Sequence, residues 1–132
     1  MNVLIVDDSK IVRRVLTNTV KRFFVEPSWP EGCTIYEAED GLVAMDMMKK
    51  HQINIMLLDW NMPNMTGEEV VGAVRANKEW HKTRIIMATT EGGKDSVLKM
   101  IKKGANGYMV KPFQEEAIFK TLENVTARMP KS

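Results

Sequence analysis

Short apolar runs alternate strictly with amphipathic segments along this chain, and four of the runs stop on a residue suited to phosphate chemistry. Leu4-Ile5-Val6 leads into Asp7-Asp8, and Ile55-Met56-Leu57-Leu58 leads into Asp59. Ile85-Ile86-Met87-Ala88 meets Thr89-Thr90, and Tyr108-Met109-Val110 meets Lys111-Pro112. Continuous apolar runs of this length are what strands buried on both faces require. Laid parallel in one sheet, they bring all four polar endings to one carboxyl edge, where open α/β sheets bind ligands.

The full pattern comprises five strand-helix units. Strands are predicted over Val3–Val6, about Thr34–Glu37, Ile53–Leu58, Arg84–Ala88 and Gly107–Val110. Ser9 can cap a first helix in which Ile11, Val12, Val15, Leu16, Thr19 and Val20 recur at helical spacing. Asp40-Gly41 opens a second helix carrying Leu42, Ala44, Met45 and Met48, and a third runs from about Gly67 with Val70, Val71 and Val74 inward. The fourth bears Val97, Leu98 and Ile101 and is stopped by Gly104; the last bears Ala117, Ile118, Leu122 and Val125. Glu26–Gly32, with two prolines and a glycine, reads as a loop, as does Asn61-Met62-Pro63-Asn64. Strict alternation implies α/β architecture: a five-stranded parallel, doubly wound sheet with right-handed crossovers and helices on both faces.

At 132 residues the chain fits one domain, expected over 1–129 with a short tail at 130–132. A net charge of +2 gives no reason to expect nucleic acid or an anionic membrane as partner. No stretch reaches the ~18 apolar residues of a membrane span, and no signal core follows Met1. The one cysteine, Cys33, excludes an internal disulfide and suits a reducing cytoplasm, and reads as a buried or half-buried small side chain on a strand. The eleven Met read as core filler.

Asp7, Asp8 and Asp59, brought together at one edge, repel one another unless a cation intervenes. Mg²⁺ is the natural candidate, because it takes oxygen ligands and needs only one or two carboxylates beside a backbone carbonyl and waters. A carboxylate beside such an ion can act as nucleophile toward phosphorus. Lys111 offers a point charge and Thr89 a hydroxyl donor, which suits phosphoryl transfer by positioning and charge neutralisation. No His stands at a strand end and no Cys/His cluster has zinc spacing, so Ser/His/Asp hydrolysis has no support. Singly, an Asp after a strand is a helix cap and Lys-Pro a turn; it is the ordered combination that carries the argument.

The tract Asp59-Trp60-Asn61-Met62-Pro63-Asn64-Met65-Thr66-Gly67, with Thr89, Tyr108 and Lys111-Pro112-Phe113 at matching spacing, resembles the receiver domain of two-component response regulators over essentially the whole chain. The resemblance implies a flavodoxin-like strand order of 2-1-3-4-5. It implies that Asp59 accepts phosphate from a phosphohistidine on a sensor histidine kinase, and that Asp7, Asp8, Asp59 and the Asn61 carbonyl hold Mg²⁺. Lys111 would pair with the phosphoryl group across a cis Lys111-Pro112 bond, while Thr89 and Tyr108 act as a switch. The expected protein is a phosphoacceptor, not an enzyme in the ordinary sense, though it assists its own phosphorylation and dephosphorylation. Its expected output is phosphorylation-dependent binding, by a monomer, of a downstream protein such as a flagellar switch component in chemotaxis, through the fourth helix, fifth strand and fifth helix. A phosphatase is a further expected partner.

Two departures from the family stand out. The loop holding Trp29 is longer than usual and reads as surface packing, and Thr66 replaces a common acidic residue without reaching the chemistry. Lys94, Lys99, Lys102 and Lys103 read as a solvated face, while His51, His81, Arg13 and Arg14 read as surface residues. A phosphorelay shuttle shares the chemistry and is the first rival. A flavodoxin-type electron carrier is another, although Asp7-Asp8 would repel a flavin phosphate. An aspartate-nucleophile phosphatase wants an Asp-x-Asp pattern after the first strand, which is absent.

Overall fold

The computed structural model describes residues 1–25, 28–90 and 92–129. In chain order the elements are β1 (Asn2–Val6), α1 (Lys10–Phe23), β2 (Thr34–Ala38), α2 (Gly41–Lys50) and β3 (Ile55–Asp59). There follow α3 (Gly67–Ala76), a 3-10 turn at Lys78–Trp80, β4 (Arg84–Thr89), α4 (Lys94–Lys103), β5 (Gly107–Val110) and α5 (Glu115–Ala127). Every strand pairing is parallel, and the sheet order is β2-β1-β3-β4-β5. The tail at 130–132, and Glu26 and Pro27 of the expected loop, lie outside the described residues.

The apolar strands serve two cores because successive side chains point to opposite faces. Leu4, Val6, Met56, Leu58 and Met87 face one layer, closed by Ala44 and Met48 of α2, Val70, Val71 and Val74 of α3, and Met100 of α4. Val3, Ile5, Ile55, Leu57 and Ile86 face the other, closed by Leu16 and Val20 of α1 and Ile118, Leu122 and Val125 of α5. All of β3 is buried, which is why its run is continuous rather than alternating.

Helix starts follow the capping residues. Ser9 Oγ accepts from Val12 N at 3.3 Å, and Asp40 Oδ1 accepts from Val43 N at 2.9 Å. At α3 the box is reciprocal: Glu69 N donates to Thr66 Oγ1 and Thr66 N to Glu69 Oε1, both at 3.2 Å. Gly104 ends α4 in the left-handed region at φ 120°, which an L side chain rarely adopts.

Several expectations need adjusting. β3 starts at Ile55 rather than Ile53 and runs through Asp59, which pairs with Ala88. β2 and β4 each extend one residue, to Ala38 and Thr89, and Cys33 sits half-buried just before β2. On α1 the seam is narrower than the apolar spacing suggests: Leu16, Thr19 and Val20 are buried while Ile11 and Val15 face solvent. On α4 the buried residue is Met100, and Leu98 and Ile101 are exposed. This helix lies toward the edge of the sheet, where the four-residue β5 has no further neighbour to cover. Trp29 packs against Phe24 with ring centres 4.8 Å apart, in line with surface packing. His51 caps α2 and stacks on Tyr36, with ring centres 4.1 Å apart.

Candidate functional site

Four strand ends build the site. Asp7 directly follows β1, and its N–H continues the ladder to Ala38 O at 3.1 Å. Its Oδ1 accepts the Ser9 N–H at 2.8 Å, so the residue that caps α1 also pins this carboxylate. Asp8, relieved of the capping role, is exposed. Asp59 ends β3 almost wholly buried, and its Oδ1 accepts the Asn61 N–H at 3.2 Å. Thr89 ends β4 fully buried, and its carbonyl accepts the Lys111 N–H at 2.7 Å. The Lys111-Pro112 bond is cis.

These elements bring the charges together. Asp7, Asp8 and Asp59 each place a carboxylate oxygen within 4.8 Å of the others. Lys111 Nζ donates to Asp7 Oδ2 at 2.9 Å and lies 3.5 Å from Asp59 Oδ1. Burial pushes the Asp59 carboxyl above the usual carboxylate range, and Asp7 adds to the push against the pull of Lys111 and the Asn61 N–H. For Lys111, burial disfavours the ammonium, but the Asp7 hydrogen bond and the charge of Asp59 prevail and raise it. One ammonium thus faces three carboxylates, two of them buried. Such a set of hard oxygen donors, short of positive charge, fits an oxygen-preferring divalent cation.

Asn61 lies on the exposed loop beyond Asp59. Tyr108 stands on the edge strand β5 with its ring outward, 41% exposed, apart from the charged cluster. Thr66 caps α3, its N–H and hydroxyl both donating to Glu69 Oε1, at 3.2 and 3.1 Å. Lys99 and Lys103, expected to be merely solvated, pair with Glu68 of α3 at 3.7 and 3.3 Å.

Arg13 is not the surface residue the sequence suggested. Its Nη1 donates to Asp7 O at 2.6 Å and its Nε to Glu37 Oε1 at 3.0 Å, with the side chain mostly covered. A signal was present: a residue one turn inside the capped start of α1 projects back toward the preceding strand end. Gly67 is a second residue whose role the sequence left unstated. A Cβ there would stand 2.5 Å from Asp59 O and 2.7 Å from Trp60 Cα, so the start of α3 presses on the backbone bearing Asp59.

The profile of the response regulator receiver domain matches residues 3–123. The chain is 41% identical to a chemotaxis protein CheY homolog of Campylobacter jejuni over 126 residues, covering 95% of this chain and 92% of that protein. It is 39% identical to chemotaxis protein CheY1 of Helicobacter pylori, covering 95% and 96%. Among solved structures, CheY4 of Vibrio cholerae superimposes with a TM-score of 0.82 at 35% identity, covering 94% of this chain and 97% of that one.

Proposed function

The chain belongs to the response regulator receiver domain family, and from that premise we propose that it is a stand-alone chemotaxis-type regulator phosphorylated on Asp59. The observation that carries this reading is the buried Asp59 carboxylate, held beside Asp7, Asp8 and Lys111 at the carboxyl edge of the sheet. The donor is a phosphohistidine of a sensor kinase. A carboxylate oxygen of Asp59 attacks phosphorus as the P–N bond breaks, and the imidazole departs with a proton from solvent. Lys111, already within 3.5 Å of Asp59, shifts its ammonium toward a phosphoryl oxygen. Asp7, Asp8, Asp59 and the Asn61 carbonyl would hold Mg²⁺, which when bound neutralises charge on acceptor and phosphoryl oxygens. The same site supports autodephosphorylation, with water replacing Asp59 as the oxygen bonded to phosphorus.

Thr89, at the adjacent strand end, would donate its hydroxyl to the new phosphoryl oxygen, a charge-assisted bond of roughly 1.5–3 kcal/mol. That biases a two-state equilibrium about tenfold or more, enough to regulate. Its inward motion would make room for the Tyr108 ring. The readout surface is the face of α4, β5 and α5, where Leu98, Ile101, Tyr108 and Val110 are all exposed. A flagellar switch component is the expected target there, in a cytoplasmic setting. Two carboxylates at the end of β1 disfavour the flavodoxin reading, since they would face a flavin phosphate.

The test is capture of partners from a lysate by phosphorylated and unphosphorylated protein. A partner retained only by the phosphorylated form is expected, and Thr89→Ala should accept phosphate yet lose most of that retention. Equal retention by both forms, or by Thr89→Ala at equal phosphorylation, would contradict the reading. Onward transfer of the phosphoryl group to a histidine phosphotransfer protein would favour the relay shuttle instead.

A further inference from the structure

At the opposite end of the sheet from Asp59, where β4 and β5 begin, a pocket of about 490 Å³ lies between the strands and the second half of α5. Arg84, Lys120 and Arg128 line it together with Asn106, Tyr108 and Asn124, and no carboxylate does. None of the three cations forms an ion pair among the described residues, although six other Lys or Arg side chains do. Arg84 Nε is shielded from solvent and makes no hydrogen bond. Just beyond, Arg75 is committed to Gly104 O, Trp80 O and Asn106 Oδ1. Burial, and then the neighbouring positive charge of Arg84, hold Arg75 below its ordinary range.

Cations near the end of a helix offset its dipole, and that accounts for Arg128. It does not account for Arg84, the first residue of β4. We propose that this pocket binds a small polyanion of the phosphate-ester or diphosphate class, at a site separate from the carboxylate edge. Guanidinium groups match phosphate oxygens in planar, two-pronged geometry, and Lys120 adds a point charge. Turning Arg84 Nε toward such a ligand breaks no existing hydrogen bond, so the rearrangement is cheap. The volume falls within the ~300–1,000 Å³ of small-ligand sites, and Tyr108 and Val125 supply an apolar wall. A small anion that enters the pocket meets Arg84, whose Nε has no partner there to displace.

The experiment is calorimetric titration of the full chain with inorganic pyrophosphate, in EDTA and at constant ionic strength so that the carboxylate edge stays anion-repelling. Saturable one-site binding is expected, weakened tenfold or more in Arg84→Gln and Arg128→Gln. Melting curves check that these variants fold. Lys120→Gln, at an exposed position, should weaken binding severalfold and carries the test if Arg84→Gln does not fold. Absence of saturable heat overturns the proposal, as does an affinity unchanged in every folded variant. A glutamate-rich peptide that binds where pyrophosphate does not would make this a protein-docking surface, and would also overturn it.

Discussion

Two glycines on α3 give a paired test of how the fold holds the acceptor. A Cβ at Gly67 would lie 2.5 Å from Asp59 O and 2.7 Å from Trp60 Cα, both backbone atoms that no rotamer change can move aside. Restoring ordinary van der Waals contact requires the strand end to yield by roughly 0.9 Å. Overpacking of this kind costs about 1–3 kcal/mol. The displaced segment carries Asp59, and a misplacement near 1 Å can cost about a hundredfold in rate. Gly67→Ala should therefore lower the melting temperature and slow phosphate uptake from acetyl phosphate by roughly tenfold to a hundredfold. Gly72, on the same helix, has nothing within 4 Å of its would-be Cβ. Gly72→Ala should stabilise by about 0.5–1 kcal/mol through helix propensity alone and leave uptake unchanged. Thermal melting and timed intact-mass spectrometry read both variants. A Gly67→Ala protein that melts at or above wild type with equal uptake would refute the claim that α3 positions Asp59.

Two further outcomes follow from the same geometry. Thr66→Ala removes the capping box of α3 and should cost about 1 kcal/mol in denaturant unfolding while leaving phosphate uptake intact; a matched loss of uptake would show that Thr66 reaches the site. Trp60, half-buried and adjacent to Asp59, should change its emission saturably as MgCl₂ is added, with no change in Asp8→Ala. A response that survives in Trp60→Phe would come from Trp29 or Trp80 and contradict this placement.

Much of the fold was legible because its signals are local. Continuous apolar runs marked strands buried on both faces, and Ser9, Asp40 and Gly104 punctuated helices as their chemistry dictates. The carboxyl edge was legible for the same reason, since Asp7, Asp59, Thr89 and Lys111 each sit within a residue of a strand end. Tertiary facts were harder. The exposure of Leu98 and Ile101 depends on α4 lying toward the sheet edge, which the spacing of one helix cannot reveal. Arg13 looked like surface because its partners, Asp7 O just after β1 and Glu37 within β2, come together only when the two strands pair. The Arg84 pocket joins residues far apart in sequence, through a pairing of strands and a helix that no local motif encodes.

The central claim is that Asp59 receives the phosphoryl group. Wild-type protein and Asp59→Asn, each with MgCl₂ and acetyl phosphate, are compared by intact mass, and the adduct is mapped by peptide sequencing after borohydride trapping. One phosphoryl group on wild type, located at Asp59, absent from Asp59→Asn and lost when EDTA is added first, is the predicted result. Equal uptake by Asp59→Asn, or an adduct mapped to Asp7 or Asp8, would contradict the account.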